Sequence, residues 1–361
     1  MISAALIYSL RRNERVFSLF EIIHTTFEEL KRRFKSQVNV EPRSNNSSIL
    51  WGSPNRALQI IDIYPFPPSS FLKLDNQPPA HPPPPPFGVD LALPKVGEGA
   101  RKTNHDYTHG KLDDLIEVTI KHGAKLFVSA VGVPPAHTIK RLHEAGILVM
   151  NMVGAPKHAE KALAAGVDIV CAQGGEGGGH TGDVPFSILI PAVVDVARKY
   201  KSPLTGQPAL VVAAGGVSDG RSLAASLMLG ASGVWVGTRF VASDESGASR
   251  MHKEAVVDAG FGDTVTTLVV SGRPLRVLPN DYIKAWQSKP EEIKRLTDAG
   301  VVPIMKDFDE GKDVDIPFLM GHVAAVVKDI KPAGQIVEEM VKEAVHMLKV
   351  GHGYLKEGSK L

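Results

Sequence analysis

Val167-Asp168-Ile169-Val170-Cys171-Ala172 runs directly into Gln173-Gly174-Gly175-Glu176-Gly177-Gly178-Gly179-His180-Thr181-Gly182, and this junction decides the fold. The first part is short, apolar and rich in β-branched residues, which predicts a strand buried on both faces. Comparable runs occupy 87–93, 126–131, 147–153, 209–214 and 233–237. Stretches with helix chemistry lie between them, at 135–145, 156–165, 187–200 and 219–229. In the last of these, Ser218 or Asp219 can cap the start and Gly230 ends it. Strands apolar on both faces, each followed by a helix, imply a parallel sheet covered by helices. Six such units suit an α/β TIM-type (β/α)₈ barrel, incomplete at its N-terminal strands unless residues 1–85 supply them. An open doubly wound sheet is the alternative. No Gly-x-Gly-x-x-Gly follows a first strand, which weakens its dinucleotide-binding form.

Outward from this core the chain changes character. Residues 1–85 read as a divergent N-terminal segment, with an amphipathic helix expected over 16–38 and a polar, turn-rich stretch at 41–48. Seven prolines crowd 78–86, an extended tract that reads as a linker. The barrel core is expected over 86–245. From 246 to 361 the pattern predicts a small, mainly helical cap and a closing helix, with helices at 250–259 and 332–348.

The 361 residues carry 41 basic and 39 acidic side chains, a formal charge of +2, too small a bias to imply nucleic acid or a membrane surface as partner. Cys171 is the single cysteine, so an internal disulfide or a cysteine metal cluster is excluded. No apolar run approaches the ~20 residues that cross a bilayer. The opening apolar residues precede Arg11 and Arg12, the reverse of a secretory signal, so the cytoplasm is expected.

In a parallel barrel, chemistry sits on the loops after the strands. Three such segments are glycine-rich. In the first, six glycines within 173–182 serve no evident packing purpose and would let backbone N–H groups approach a flat or charged ligand. Gln173 offers an amide, and His180 is the one group there that titrates near neutrality. Glu176 reads as a solvent-facing group or a loop brace. The second segment is Ala213-Ala214-Gly215-Gly216-Val217-Ser218-Asp219, and the third Gly233-Val234-Trp235-Val236-Gly237-Thr238-Arg239. Their glycine N–H groups, the Thr238 hydroxyl and a helix N-terminus together suit a phosphorylated cofactor. His105 and His109 lack a third ligand, so no metal is expected.

These segments also resemble known ones. The Gly-Gly-His-x-Gly core within 173–182 is similar to the signature loop of nitronate monooxygenases. The same holds for Ala214-Gly215-Gly216-Val217, the stretch 230–240, Arg250-Met251-His252-Lys253-Glu254-Ala255, and Pro86-Phe87-Gly88-Val89-Asp90-Leu91, which resembles that family's third barrel strand. Ser271-Gly272-Arg273-Pro274 and Met320-Gly321-His322 resemble its cap. The resemblance implies a non-covalent FMN and oxidation of nitronates or nitroalkanes by O₂. It implies Gln173 and Gly178 against the flavin, and Gly215 or Gly216 with Trp235, Val236, Gly237 and Thr238 around the phosphate. His180 would be the base, or would steady the nitronate anion. The family's opening strands, with their Ala-Pro-Met-like turn, are not found in 1–85. A related enoyl reductase using NAD(P)H and an inactive remnant are the competing readings, and a homodimer is left open.

Overall fold

The computed structural model describes residues 5–8, 58–64, 87–93, 103, 108 and 110–355. The expectations for 16–38, 41–48 and 78–86, and for His105 and His109, lie outside the described residues. The barrel strands are β1 (Ala5–Tyr8), β2 (Leu58–Tyr64), β3 (Phe87–Ala92), β4 (Leu126–Ala130), β5 (Leu148–Val153), β6 (Ile169–Gln173), β8 (Leu210–Ala214) and β9 (Gly233–Val236). They close in that order. β7 (Gly179–His180) lies outside the barrel wall.

From β3 to β9 every neighbouring pair is parallel, as the apolar runs require. β1 and β2 are parallel to each other but antiparallel to β9 and β3. Two strands of the N-terminal segment, β1 and β2, therefore complete the barrel and run against the other six. Only those six deliver their following loops to the C-terminal mouth.

Alternation along each strand separates two cores. Val89, Leu91, Phe127, Val149, Val170, Val211 and Val234 face the helices. Leu126, Val128, Met150, Cys171, Val212 and Trp235 fill the barrel interior. Asp90 lies between Val89 and Leu91 and pairs in register with Val128, so it belongs to the interior set. By the same period Ile169, Cys171 and Gln173 point inward.

The helices are α1 (Leu112–Lys121), α2 (Ala136–Glu144), α3 (Pro156–Ala164), α4 (Phe186–Ala197), α5 (Gly220–Met228) and the short α6 (Thr238–Val241). The pattern read from sequence holds for α2 to α5. It missed α1, whose start has no side-chain cap. α5 begins with a capping box in which the Asp219 carboxylate accepts from Ser222 N at 2.8 Å.

Beyond β9 come α7 (Arg250–Asp258), β10 (Val265–Thr267), β11 (Leu275–Leu278), α8 (Asp281–Gln287), α9 (Pro290–Asp298), α10 (Pro303–Asp309), β12 (Phe318–Leu319), a 3₁₀ turn (His322–Val326) and α11 (Ala333–Gly353). The cap is mainly helical, but it also contains antiparallel pairings of β11 with β10, β12 and β7. Strands this short carry too little alternation to be read from sequence. Through Leu275 opposite His180, the cap sheet grips the histidine loop. α11 packs on α5 so closely that a Cβ on Gly220 would lie 2.4 Å from Met340 O. No helix among the described residues is long and apolar enough to cross a membrane.

Candidate functional site

The site lies at the C-terminal mouth, where the loops after β6, β8 and β9 converge beneath the cap. Gln173 ends β6 pointing inward, and its Nε2 donates to His180 O at 2.6 Å. The loop then folds back on itself: Gly177 N donates to Gly174 O at 3.0 Å, and Thr181 Oγ1 donates to the same oxygen at 3.2 Å. Gly174 N in turn donates to Ala214 O at 2.8 Å, fastening the loop to β8.

His180 comes out of this fold with its ring fixed. Nε2 lies 2.9 Å from Ser271 Oγ in the cap. Burial, with a smaller contribution from the nearby Arg273 charge, pushes its pKa down to about 4. The imidazole is therefore neutral at physiological pH, able to accept a proton but weakly basic.

The glycines have a reason the sequence did not reveal. A Cβ on Gly178 would lie 2.6 Å from Gly321 N, and one on Gly177 would lie 2.6 Å from the Gln173 amide. Gly215, at φ +70°, would meet Gly174 O at 2.6 Å. The expectation that these glycines serve no packing purpose is thus corrected: they let the loop nest against β8 and the cap. Gly216 differs. It has φ +89° and only ordinary contacts with Phe186 and Glu176, so packing alone leaves room there.

Glu176 is a loop brace. Its carboxylate accepts from Phe186 N at 3.0 Å, at the start of α4, and its carbonyl accepts from His322 N at 3.0 Å. Thr238 Oγ1 accepts from Gly321 N at 2.9 Å, leaving the hydroxyl proton to donate elsewhere. Trp235 lines the barrel interior, whereas the Val236 side chain is buried on the helix side, so only its backbone can meet a ligand. The N-terminus of α5 is already occupied by Asp219, with Gly220 N donating to Glu343 at 2.7 Å. An anion at this mouth is left with the glycine pair and the 235–238 turn. All the residues singled out from sequence, from Gln173 and His180 to Gly216 and Thr238, share this one mouth.

Sequence reasoning passed over Asp90. Its Oδ1 is buried without a hydrogen-bond partner, and burial raises its pKa to about 7. The same environment, with the Asp90 charge added, pushes the Cys171 thiol up. A lone carboxyl in an otherwise apolar strand was the available signal. An orphaned interior oxygen, an open Gly216 and a free Thr238 proton together fit a polar, phosphorylated cofactor with hydrogen-bonding ring edges.

Comparison with known proteins agrees with this arrangement. The profile of the nitronate monooxygenase family matches residues 85–343. A putative monooxygenase of Mycobacterium tuberculosis is 38% identical over 201 residues, which are 55% of this chain and 51% of that protein. A nitronate monooxygenase of Neurospora crassa is 30% identical over 289 residues, 71% of this chain and 73% of that one. Among solved structures, a nitroalkane oxidase from Streptomyces ansochromogenes superposes with a TM-score of 0.59 at 26% identity, covering 74% of this chain and 82% of the other. The chain spans about half the length of the first curated relatives it matches, and more of the Neurospora protein.

Proposed function

The chain belongs to the nitronate monooxygenase family, and from that premise we propose that it oxidises alkyl nitronates with molecular oxygen, using bound FMN and His180 as the base. The observation that carries this reading is the gathering of His180, Gln173, Gly216 and Thr238 at one mouth, above the unpartnered oxygen of Asp90. Gln173 and Gly178 would contact the flavin. Gly215 and Gly216, with Trp235, Val236, Gly237 and Thr238, would hold its phosphate. When bound, FMN supplies the electron acceptor for the nitronate and the donor to oxygen.

The protein's own part is positioning and proton handling. Ser271 fixes the ring of His180, and the cap strand β11 pairs with the loop that carries it. Because its pKa is about 4, His180 is always available as an acceptor at neutral pH but removes a carbon-bound proton weakly. Preformed nitronates, which need no deprotonation, are accordingly the better substrates and neutral nitroalkanes the poorer. The cytoplasm is the proposed place of action.

Reconstitution with FMN followed by oxygen uptake on propane-2-nitronate tests the reading. Flavin absorption bands and nitronate-dependent uptake are expected. His180→Asn should lower the rate on 2-nitropropane by ~10²–10⁴, the usual worth of a general base, and affect the nitronate less. Steady NAD(P)H oxidation without nitronate turnover would point to the enoyl reductase reading. A protein that binds flavin but turns over neither would be an inactive remnant.

A further inference from the structure

Thr103 lies on the connection from β3 to α1. Because β3 is parallel to β4, that connection emerges at the same C-terminal mouth as the loops already described. The Thr103 side chain is buried, and its Oγ1 donates to Gly272 O at 3.1 Å, across 169 residues of chain. Gly272 directly follows Ser271, whose hydroxyl meets His180 Nε2 at 2.9 Å.

Gly272 is shaped by this contact. Its φ is +66°, and a Cβ there would lie 2.4 Å from the Thr103 Cβ and 2.5 Å from its Oγ1. The threonine thus occupies the space that a side chain at 272 would need. Backbone bonds fasten the rest of the turn. Gly272 N donates to Leu268 O at 2.8 Å, and Thr181 N, next to His180, donates to Pro274 O at 3.2 Å. Leu275 then pairs with His180 in the cap sheet. Thr103 adds a tie from the barrel's own β3 connection.

What the turn controls is the direction of one proton. Ser271 Oγ lies 2.9 Å from His180 Nε2 and 3.4 Å from Arg273 O, and a hydroxyl has one proton to donate. If it donates to the Arg273 carbonyl, Oγ accepts from Nε2–H and Nδ1 is the bare ring nitrogen. If it donates to Nε2, the ring proton sits on Nδ1 instead. The path from Ser271 to Arg273 runs through Gly272, so the conformation that Thr103 clamps decides between the two.

We propose that Thr103 is a positioning residue for His180: by holding Gly272 it fixes Ser271, and through Ser271 the tautomer of the ring. The inference rests on the reading of His180 as the base. Its effect passes through Ser271 and the ring, so it acts on turnover and not on substrate binding.

The test uses the full chain as wild type, Thr103→Val and Thr103→Ser, each alone and combined with Ser271→Ala. Valine keeps the volume and drops the hydroxyl, whereas serine keeps the hydroxyl. The first readout needs neither flavin nor turnover: the ring nitrogen resonances of His180 at neutral pH, assigned through His180→Asn. With a pKa of about 4 the ring is neutral there, so its two nitrogens report the tautomer. Wild type and Thr103→Ser should show one tautomer, and Thr103→Val a mixture. In the FMN-reconstituted protein, Thr103→Val should lower kcat for 2-nitropropane about 3- to 10-fold, the usual worth of one neutral hydrogen bond, with KM within about 2-fold. On the Ser271→Ala background the same substitution should move neither readout. A single, unchanged tautomer in Thr103→Val would overturn the proposal, as would an equal rate loss with and without Ser271. If the wild type turned over no nitroalkane, the ring resonances would still judge Thr103 separately from the proposed reaction.

Discussion

The barrel buries one aspartate at the N-terminal end of its wall and another in its interior, and treats them in opposite ways. At the N-terminal end Asp168 accepts from Ser202 Oγ at 2.6 Å, Val149 N at 2.8 Å and Leu204 N at 3.4 Å, with His143 Nε2 at 2.8 Å. These partners tie β5 and α2 to the segment before β8. In the barrel interior, Asp90 leaves Oδ1 without a partner. A buried charge with every oxygen satisfied stabilises a fold. One left unsatisfied is kept for another reason, and a ligand is the economical one.

Asp168 carries the largest expected effect. Asp168→Ala would leave several buried donors without an acceptor, and a loss of about 3–5 kcal/mol is expected from denaturant unfolding. Flavin content per folded molecule should stay the same. A loss under about 1 kcal/mol would mean that the network is incidental and the contrast between the two aspartates is empty.

Asp90 should behave in the opposite way. Burial raises its folded pKa from the ordinary carboxylate value of 3.8 to about 7, so the folded state holds its proton more tightly than the unfolded chain. Between those two values the folded state binds more protons, so stability falls as pH rises from about 4 to about 7 and levels off above. Without flavin, the contribution of this group is on the order of 4 kcal/mol across that window. Asp90→Asn should remove this dependence and leave the flavin-free protein more stable than wild type at pH 8. Unchanged pH dependence in the variant would show that the carboxyl is solvated, and the contrast with Asp168 would fail.

Much of this was legible in the sequence, and the rest was hidden for definable reasons. The six parallel strands announced themselves because both of their faces are buried, one against helices and one inside the barrel, which leaves continuous apolar runs. His180 stood out as a titratable group on a glycine loop at a strand end. The inverted pair β1 and β2 could not be foreseen, since a short apolar run does not encode its direction. The glycines were misread because their neighbours are remote: Gly178 packs on Met320 and Gly321, more than a hundred residues away in the chain. Ser271 and Arg273 were visible only as a motif, because the 91-residue separation between Ser271 and His180 is bridged by the cap sheet.

Thermal or denaturant unfolding with and without FMN tests most directly whether the unsatisfied mouth is the cofactor site. At a free FMN concentration about 100 times Kd, wild type should gain about 2.7 kcal/mol. Gly216→Asn and Gly216→Asp share the same backbone strain at φ +89° and differ in charge. The asparagine variant should keep most of the FMN-induced gain. The aspartate variant, with a carboxylate set against the phosphate, should keep little. A wild type that FMN does not stabilise, or two variants that respond alike, would contradict the assignment of FMN to this mouth.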